Sequence, residues 1–378
     1  MNIVMHCVYF PPEVGGLESH IRYLCRSLVE RGHQVNVVTS LSQPDLPQHE
    51  VIDGISVWRT WIPGRNTLGW ATYAISSTPK LVSLARNADV LHAQDIASVL
   101  PCIIANLRRK IPIVTTYHTS HFLKRAESRF WRRIFRTFLR KADHNLAAST
   151  EIASVGKNIA PQVDVEPLTN GVDTSVFQRT DPVLPHLEEG QYRLIIPRRL
   201  FSKNGVEYFV RALPMIRDAV NVEAIVIGDG PERSKLESLA GKLGVTDHLT
   251  FMGVCPHDKM PGLLSSSDLA VFPSLMEATS IAALESMACE VPVAASRIGG
   301  LPEILDHEVG ALFEPADSES LAETVIALLK GGQLRKLGLE ARKRVVERWS
   351  NERLTDRHLE IYEELLARHH SVDRVAQG

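Results

Sequence analysis

The chain has 378 residues, which is too long for one ordinary hydrophobic core and fits two domains of roughly 150–200 residues each. Its hydrophobic content of 44% and charged content of 23% are typical of a soluble globular protein, and a net charge of −2 gives no global case for nucleic-acid binding. The five cysteines are scattered and form no C-x-x-C pair, which argues against a disulfide framework and a zinc site. Met1 leads directly into a strand-like run, and no apolar run approaches ~18 residues, so we expect a cytoplasmic protein.

Alternating strands and helices run through the first half of the chain. Residues 2–8 predict a buried strand, which the loop YFPPEVGG joins to a helix over 17–31 and a strand over 34–39. In this βαβ unit, Gly15 and Gly16 lie where the backbone comes close either to a bound diphosphate or sugar or to its own tight turn. Further strands are predicted over 56–59, 90–92 and 112–116, and further helices over 79–86 and 97–109. The pattern is typical of a doubly wound parallel sheet, whose ligands bind beyond the carboxyl ends of the strands.

His118 stands just past the end of the strand over 112–116, in the segment TTYHTSH. That is the place for a side chain that contacts a ligand of a parallel sheet. The alternative is a structural histidine whose ring nitrogens are satisfied by the protein itself.

Residues 122–141 carry eight Lys or Arg and one Glu among large apolar side chains. A basic amphipathic helix of this kind rests on an anionic membrane surface or grips a phosphorylated acceptor. In the alternative interpretation Phe130, Ile134 and Phe138 pack on the sheet and the arginines face water.

A polar stretch with two prolines, 178–191, separates the first half from a second alternating pattern. Its predicted strands are 192–197, 222–227, 249–251, 269–272 and 291–295, and its predicted helices are 206–217, 233–243, 260–265 and one from about 280. Two Rossmann-like α/β domains facing each other across a cleft are therefore expected, one over 1–178 and one over 190–351. An amphipathic helix over 351–370 follows.

Two acids stand out in the stretch 272–293, FPSLMEATSIAALESMACEVPV. Glu285 falls in a short helix of small and apolar residues, so its charge needs a partner. Glu277 precedes that helix, where free N–H groups and the positive end of the helix dipole attract anions and oriented hydroxyls. The pair indicates a ligand site, the alternative being an acid near a helix start and a Glu tied to a neighbouring loop.

Two loops of the second half carry further candidates. In PRRLFSKNG, Arg198, Arg199 and Lys203 cluster just past a predicted strand and suit a diphosphate, or else form a solvated basic loop. In VIGDGPER, Gly228 invites a nicotinamide-dinucleotide interpretation, but Arg233 stands where a third glycine is needed, so that interpretation is weak.

Taken jointly, these features resemble the retaining, nucleotide-sugar-dependent glycosyltransferases of family 4, which have the GT-B fold. The resemblance spans nearly the whole chain, and its most specific part is Glu277-x7-Glu285 with the PVAAS strand after it. The features that carry it are Gly15 and Gly16, His118, Arg199 with Lys203, Gly228-Asp229-Gly230, the two acids and the segment GGLPE at 299–303.

The resemblance implies a role for each matching residue. Gly15 and Gly16 would bring their backbone to the donor diphosphate, Arg199 with Lys203 would neutralise the leaving nucleoside diphosphate, and His118 would face the transferred sugar. Glu277, with the N–H groups near Ser280 and Ile281, would hold sugar hydroxyls and phosphate, and Glu285 would accept hydrogen bonds from the ribose. Gly228 and Asn204 would belong to the same donor-binding surface. In this family the donor phosphate is thought to take the acceptor proton, so catalysis is mainly positioning and electrostatic stabilisation.

The chain departs from the family pattern at two places. The usual Lys before the glycine of the basic loop is Asn204, and the usual glycines after the first acid are Ala278, Thr279 and Ser280. The first departure leaves two alternatives, in which Lys203 reaches the phosphates or Arg199 works with less help. No Asp-x-Asp pair appears, the nearest being Asp164-x-Glu166, so we expect no metal and no cofactor beyond the donor.

The resemblance therefore predicts a hexosyltransferase that uses a nucleotide-diphosphate sugar, with a UDP-sugar favoured over GDP-mannose, and an acceptor hydroxyl. The basic helix over 122–141 adds the hypothesis that the acceptor is lipid-linked or that the enzyme sits at the inner membrane face. The resemblance also implies that the C-terminal helix crosses back to the first domain and that the cleft closes on the donor. The alternatives are a nucleotide-sugar phosphorylase or epimerase on the same fold and a catalytically silent binding protein.

Overall fold

The computed structural model describes residues 1–13, 16–118, 120–277 and 280–377. The chain divides into two compact units: unit 1 comprises Met1–Asn170 together with the residues from Asn351 onward, and unit 2 comprises Gly171–Ser350. Each unit contains one sheet with helices packed against it.

Fourteen strands are assigned to the described residues. They are β1 (Asn2–His6), β2 (Gln34–Leu41), β3 (His49–Ile52), β4 (Ile55–Trp61), β5 (Val90–Gln94), β6 (Ile113–Tyr117), β7 (His144–Ala147), β8 (Glu166–Pro167), β9 (Tyr192–Pro197), β10 (Val222–Ile227), β11 (Leu249–Gly253), β12 (Leu269–Phe272), β13 (Val293–Ser296) and β14 (Gly310–Phe313). Strands β1, β5, β6, β7, β9, β10, β12 and β13 are buried along nearly their whole length, as expected for strands that are covered on both faces of a parallel sheet.

Fourteen α-helices are assigned to the same residues. They are α1 (Gly16–Glu30), α2 (Thr67–Leu84), α3 (Ile96–Asn106), α4 (Ser120–Ala126), α5 (Arg129–Lys141), α6 (Thr150–Ile159), α7 (Val206–Ala219), α8 (Arg233–Lys242), α9 (Met260–Ser265), α10 (Ile281–Ala288), α11 (Leu301–Ile304), α12 (Ser318–Lys330), α13 (Leu334–Arg348) and α14 (Asn351–Gln377). Within the described part of the chain, none of these helices has the length and apolar content that crossing a membrane requires.

Both sheets are doubly wound. The sheet of unit 1 has the order β3-β4-β2-β1-β5-β6-β7-β8, with β3 antiparallel to β4 and the other neighbours parallel. The sheet of unit 2 has the order β11-β10-β9-β12-β13-β14 and is parallel throughout its described strands. The predicted pair of Rossmann-like α/β folds is confirmed. In such sheets ligands bind at the carboxyl ends of the strands, near the point where the strand order reverses.

The unit boundary lies between Asn170 and Gly171, eight residues before the limit at 178 expected from the sequence. The proline-rich stretch chosen as the linker packs on unit 2, where the Val183 N–H donates to Ser266 Oγ over 2.8 Å and the Thr180 N–H donates to Ser265 Oγ over 3.0 Å. The stretch was predicted to be a linker because it is polar, but these backbone N–H groups are hydrogen-bonded to unit 2 and not to water. It therefore belongs to unit 2.

The C-terminal helix α14 packs on unit 1, as the predicted crossing requires. The Tyr362 hydroxyl lies 2.7 Å from His92 Nδ1 on β5, and Arg357 donates from Nε and Nη2 to the two oxygens of Glu166 on β8 over 2.7 and 2.9 Å. Ile361, Tyr362 and Leu365 are buried in the same core cluster as β1 and α1. The helix is therefore an integral part of unit 1.

The basic segment 122–141 is two helices rather than the single one predicted. Helix α4 ends at Ala126, and Ser128 adopts an extended conformation with φ −81° and ψ 130° before α5 begins. Two further elements differ from expectation: α2 begins at Thr67, well before the predicted start at 79, and the edge strand β3 was not predicted.

Candidate functional site

Four loops of unit 2 follow the carboxyl ends of its central strands β9, β10, β12 and β13, and they contain most of the residues singled out in the second half of the sequence. The basic loop follows β9, the Gly-Asp-Gly loop follows β10, the loop with Glu277 follows β12, and the segment with Gly299 follows β13. Parallel strands bring these loops to one edge of the sheet, which is where a doubly wound fold binds its ligands.

Glycine lets these loops approach each other closely. Gly299 has φ +56°, and a Cβ atom there would lie 1.7 Å from the carbonyl oxygen of Glu277. Gly228 has φ +139°, and a Cβ atom there would lie 2.3 Å from the carbonyl oxygen of Arg198. Any side chain at either position would push two of the loops apart. Gly228, predicted as a donor-binding residue, therefore has a packing role in joining the β10 loop to the basic loop.

The side chains of Arg198 and Glu277 form an ion pair at the centre of these loops. Arg198 Nη2 donates to Glu277 Oε2, to Ser274 Oγ over 2.6 Å and to Asn204 Oδ1 over 3.2 Å. The two charged side chains are only 10% and 14% exposed. The guanidinium also lies 5.6 Å from the centroid of the Phe272 ring. The sequence analysis placed Arg198 in the basic cluster but not among the site residues.

The other cations of the basic loop are free of this cluster. The side chains of Arg199 and Lys203 are exposed, and the Arg199 guanidinium lies 5.8 Å from the centroid of the Phe201 ring. Asn204 is buried and donates from Nδ2 to the carbonyl oxygen of Arg199 over 2.6 Å. The loop therefore presents two cations to solvent beside a third that is held inside.

The start of α10 lies just after Glu277. Its first residue is Ile281, and Ser280 precedes it with a buried Oγ that has no hydrogen-bond partner among the described residues. The N–H groups of the first helical turn have no acceptor within the helix, and the helix dipole adds a partial positive charge there. A hydroxyl or an anion bound at this point would satisfy both features. Ala278 and Thr279, two of the departures from the family pattern, lie outside the described residues.

Glu285 has a protein partner in a neighbouring loop. Its Oε1 lies 2.8 Å from Nε2 of His257, in the short 3₁₀ turn His257–Lys259 after β11, and the His257 ring centroid lies 4.9 Å from that of Phe177. Glu285 is 8% exposed, and burial raises its pKa, although the hydrogen bond from His257 opposes this. The hydrogen bond to Glu285 raises the pKa of His257, whose side chain is half-exposed. The tie to a neighbouring loop, one of the two alternatives for Glu285, is thus present.

The predicted residues of the first half lie in unit 1. His118 follows β6, is 6% exposed and has its Nε2 2.6 Å from Gln94 Oε1. Burial lowers the pKa of His118 to about 3, so the imidazole is neutral at physiological pH. Gly16 is the first residue of α1, and Gly15 lies outside the described residues.

The acidic pair Asp164-x-Glu166 is accounted for by structure. Glu166 hydrogen-bonds to His144 and forms an ion pair with Arg357, and these contacts lower the pKa of Glu166 to about 2. Among the described residues, no group of three or more His, Cys, Asp or Glu side chains is arranged to hold a metal ion.

The basic helix α5 buries Phe135 and Leu139 and leaves Phe130 68% exposed. It contains no acidic residue, and neither do α2 and α3, which contact each other on the same face of the sheet. Leu68 and Ile75 of α2 are each 75% exposed, and Leu107 just after α3 is 72% exposed. This part of unit 1 combines exposed apolar groups with the concentrated positive charge of α5.

Two glycosyltransferase families match the chain in succession. Residues 14–176 match Glycosyltransferase Family 4, and residues 179–346 match Glycosyl transferases group 1. The N-acetyl-alpha-D-glucosaminyl L-malate synthase of Bacillus anthracis is 28% identical over 94% of this chain and 95% of its own length. The phosphatidyl-myo-inositol mannosyltransferase of Mycobacterium leprae is 27% identical over 96% of both.

Solved structures agree with these matches at the level of the fold. The Anabaena protein HepE, solved in complex with UDP, superposes with a TM-score of 0.77 over 96% of this chain and 100% of its own, at 19% sequence identity. The chain therefore belongs to the family 4 glycosyltransferases, with the GT-B fold that the sequence resemblance implied.

Proposed function

We propose that this transferase moves a hexosyl group from a nucleotide-diphosphate sugar to an acceptor hydroxyl with retention at the anomeric carbon. The observation that carries the proposal is one edge of the unit 2 sheet, where the loops after β9 and β12 bring together Glu277, the start of α10 and the exposed cation Arg199. The Ser280 hydroxyl at that helix start is buried and has no hydrogen-bond partner among the described residues. A carboxylate accepts hydrogen bonds from sugar hydroxyls, while the N–H groups of a helix start and an arginine bind phosphates. The site therefore suits a ligand in which a sugar is joined to a diphosphate.

The predicted residue roles fit this arrangement. Arg199 would neutralise the negative charge that develops on the leaving diphosphate, and its exposed side chain is positioned to do so. Glu277 would accept hydrogen bonds from sugar hydroxyls, while the N–H groups at Ser280 and Ile281 would bind phosphate. Glu285 would accept from the ribose. In the transfer step the anomeric C–O bond to the phosphate breaks, the acceptor oxygen bonds to the anomeric carbon on the same face, and a phosphate oxygen receives the acceptor proton.

A UDP-sugar is the favoured donor and GDP-mannose the alternative. The HepE structure holds UDP, which is a property of that protein, and it supports the same nucleotide here because the folds match over nearly the whole chain. The mannosyltransferase relative supports the alternative. We propose that the donor is the only small molecule required and that no metal ion takes part.

Binding and product analysis test the proposal. Isothermal titration with UDP-glucose, UDP-N-acetylglucosamine, UDP-galactose, GDP-mannose and ADP-glucose should give one preferred donor, in buffer with and without EDTA. Turnover with candidate hydroxyl acceptors should release the nucleoside diphosphate, and the NMR coupling constant of the product should show the anomeric configuration of the donor. Absence of binding across the panel, or an inverted product, contradicts the proposal. Product formation without any acceptor would instead indicate phosphorolysis or epimerisation.

We further propose that the acid-free face formed by α2, α3 and α5 rests on an anionic membrane. Exposed apolar side chains such as Ile75 and Phe130 would insert at the boundary between headgroups and acyl chains. The arginines of α5 would bind the lipid phosphates. A second copy of the chain is a poorer partner for this face, because it would bring like charges together. A lipid-linked acceptor would be presented at such a surface.

Liposome flotation tests the membrane proposal. The variant Arg129→Glu/Arg133→Glu reverses two exposed charges of α5, and at least about thirtyfold weaker binding to vesicles of phosphatidylglycerol and phosphatidylcholine is expected, since each lost cation contributes ~1 kcal/mol. The variant Arg335→Glu/Lys336→Glu makes the same charge change on the exposed surface of unit 2 and should bind like wild type. Equal binding by both variants, or no wild-type binding at low salt, contradicts the proposal.

A further inference from the structure

The side chain of Arg198 lies inside the candidate site rather than at its surface. Strand β9 ends at Pro197, and the guanidinium that follows reaches across to the β12 loop, where it contacts Ser274 and Glu277. Arg198 Nε is buried and has no hydrogen-bond partner among the described residues. One edge of the guanidinium is therefore satisfied and the other is not.

Arg193, at the other end of the same strand, shows what a structural arginine looks like in this unit. It is 4% exposed, forms an ion pair with Glu223, and donates from Nη1 to the Ser266 carbonyl over 2.8 Å and from Nη2 to the Pro185 carbonyl over 2.9 Å. All three of its donor nitrogens are used. Arg198 differs from Arg193 because a single nitrogen, Nη2, makes its hydrogen bonds in the described structure. The three acceptors are Asn204, Ser274 and the carboxylate of Glu277.

A buried ion pair is weak evidence for stability, because removing two charges from water offsets much of their attraction. Such pairs do fix geometry, since the carboxylate cannot rotate without losing a charge-assisted hydrogen bond. Here the fixed group is Glu277, whose Oε2 also lies 3.3 Å from Ser274 Oγ. The arrangement orients the remaining oxygen, Oε1, with Arg198 and Ser274 holding the other.

The neighbouring cations do not perform this task. The side chains of Arg199 and Lys203 are exposed, and Asn204 is uncharged and donates to the Arg199 carbonyl. Of the four polar side chains at 198, 199, 203 and 204, only that of Arg198 forms an ion pair with Glu277 in the described structure. The two adjacent arginines therefore differ in function, one being turned inward to an acid and the other outward to solvent.

We propose that Arg198 is the positioning residue of the donor site: it holds Oε2 of Glu277 so that Oε1 faces the hydroxyls of the donor sugar. The inference rests on the proposed function, because it assigns the sugar end of the donor to Glu277. Arg198 acts through Glu277 and makes no contact with the nucleotide. The predicted consequence is that Arg198 sets the preference for a nucleotide sugar over the bare nucleoside diphosphate.

The test compares the dissociation constants of UDP-glucose and UDP, or of the preferred sugar nucleotide from the binding panel and its nucleoside diphosphate, by isothermal titration. Arg198→Met should weaken the sugar nucleotide at least about tenfold and the diphosphate less than about threefold, because one charge-assisted hydrogen bond is lost at the sugar alone. Arg198→Lys retains a cation near Glu277 and should recover most of the preference. If Arg198→Met does not fold, the same comparison of dissociation constants is made with Arg198→Lys.

A double-mutant cycle tests whether Arg198 acts through Glu277. The combined variant Arg198→Met/Glu277→Gln should bind the sugar nucleotide no more weakly than Glu277→Gln alone. Arg193→Met is the matched control, since it breaks a buried ion pair of the same strand away from the site. It should lower the thermal midpoint and leave the ratio of the two dissociation constants unchanged.

Each outcome decides the inference. Additive losses in the cycle would mean that Arg198 contacts the ligand itself, and an unchanged ratio in Arg198→Met would mean that it only stabilises the fold. Either result overturns the inference while the proposed function stands. A wild-type protein that binds no sugar nucleotide overturns both.

Discussion

The carboxylate of Glu285 is buried in an apolar helix and is hydrogen-bonded to His257. A carboxylate accepts hydrogen bonds from ribose hydroxyls best when it is ionised, and burial alone raises its pKa and favours the neutral acid. His257 opposes that effect, so the imidazole keeps Glu285 ready to accept. The half-exposed histidine can serve this purpose without contacting the ligand.

Replacement of His257 by Phe should make nucleotide binding more sensitive to acid. Without the hydrogen bond, only desolvation acts on Glu285, so its pKa rises further and the acid becomes protonated at a higher pH. Titrations of UDP between pH 8 and pH 5.5 should therefore show affinity falling at a higher pH in the variant than in wild type. The control is His248→Gln, because His248 Nδ1 lies 3.1 Å from the carbonyl oxygen of Val222 and not beside Glu285. Superposable pH profiles for wild type and His257→Phe would contradict this role.

The ribose assignment of Glu285 makes a separate prediction. Glu285→Ala should weaken UDP binding about tenfold or more, since charge-assisted hydrogen bonds to the ribose are lost. The same substitution should have a clearly smaller effect on a uridine diphosphate that lacks both ribose hydroxyls, because those bonds are already missing. An equal loss for both ligands would show that Glu285 supports the fold of the site and does not contact the ribose.

The sequence was enough to select both acids, but not their partners. Glu285 stood out because a charged residue in a run of small apolar residues needs compensation, and Glu277 because it precedes a helix start. His257 precedes Glu285 by 28 positions in a different loop, and only the packing of the β11 loop brings them together. Arg198 and Arg199 are chemically identical, so which of them turns inward depends on the orientation of the chain as it leaves β9. That orientation is a tertiary property.

At the scale of elements, five of the six strands assigned in the described part of unit 2 were predicted to within about two residues, because buried parallel strands are rich in apolar residues and bounded by turns. Strand β14 was not predicted. Elements with weaker patterns were missed. Helix α2 begins with small and hydroxyl-bearing residues of low helix propensity, and its start depends on Asn66, whose side chain accepts from the Gly69 N–H over 2.8 Å. The edge strand β3 has the sequence HEVI, two polar residues followed by two apolar ones, which shows no strand periodicity, and it gains its structure from pairing with β4.

Helix α14 is held to unit 1 by the bidentate contact between Arg357 and Glu166. Arg357→Ala should lower the free energy of unfolding of unit 1 by about 1–2 kcal/mol, because hydrogen bonds to charged groups contribute ~1.5–3 kcal/mol and partial exposure of both side chains weakens this one. The exposed pair Arg368 and Glu364 on the same helix is a matched control, and Arg368→Ala should cost less than about 0.5 kcal/mol. Urea titrations followed by tryptophan fluorescence measure both changes, and equal effects would show that the Glu166 contact does not anchor the helix.

At the scale of the whole molecule, we expect low pH to destabilise unit 1 more than unit 2. Unit 1 buries five histidines on β1, α1, β5, the β6 loop and α14, and they are His6, His20, His92, His118 and His358. The rings of His20, His92, His118 and His358 lie close together, with centroid distances of 5.1 Å for His20 and His118, 6.4 Å for His20 and His358, and 5.5 Å for His92 and His358. Burial lowers the pKa of His6 and His118 to about 3, of His358 to about 4, and of His20 and His92 well below the usual value.

These histidines predict that unit 1 loses stability in mild acid. In the unfolded chain each has a pKa near 6.5 and takes up a proton below that pH, whereas the folded unit keeps the ring neutral down to about pH 4 or lower. The unfolded state therefore binds more protons, so stability is at its full value above pH 6.5 and falls as the pH drops toward the folded pKa values. At pH 5.5 each buried histidine lowers the free energy of unfolding by about 1 kcal/mol.

Hydrogen exchange, corrected for the intrinsic rate, measures this loss of stability. Peptides from β1 should lose far more protection than peptides from β9 between pH 7.5 and pH 5.5. His6→Gln should remove about one proton from the pH dependence of unit 1, and equal losses in both units would contradict the role of the buried histidines.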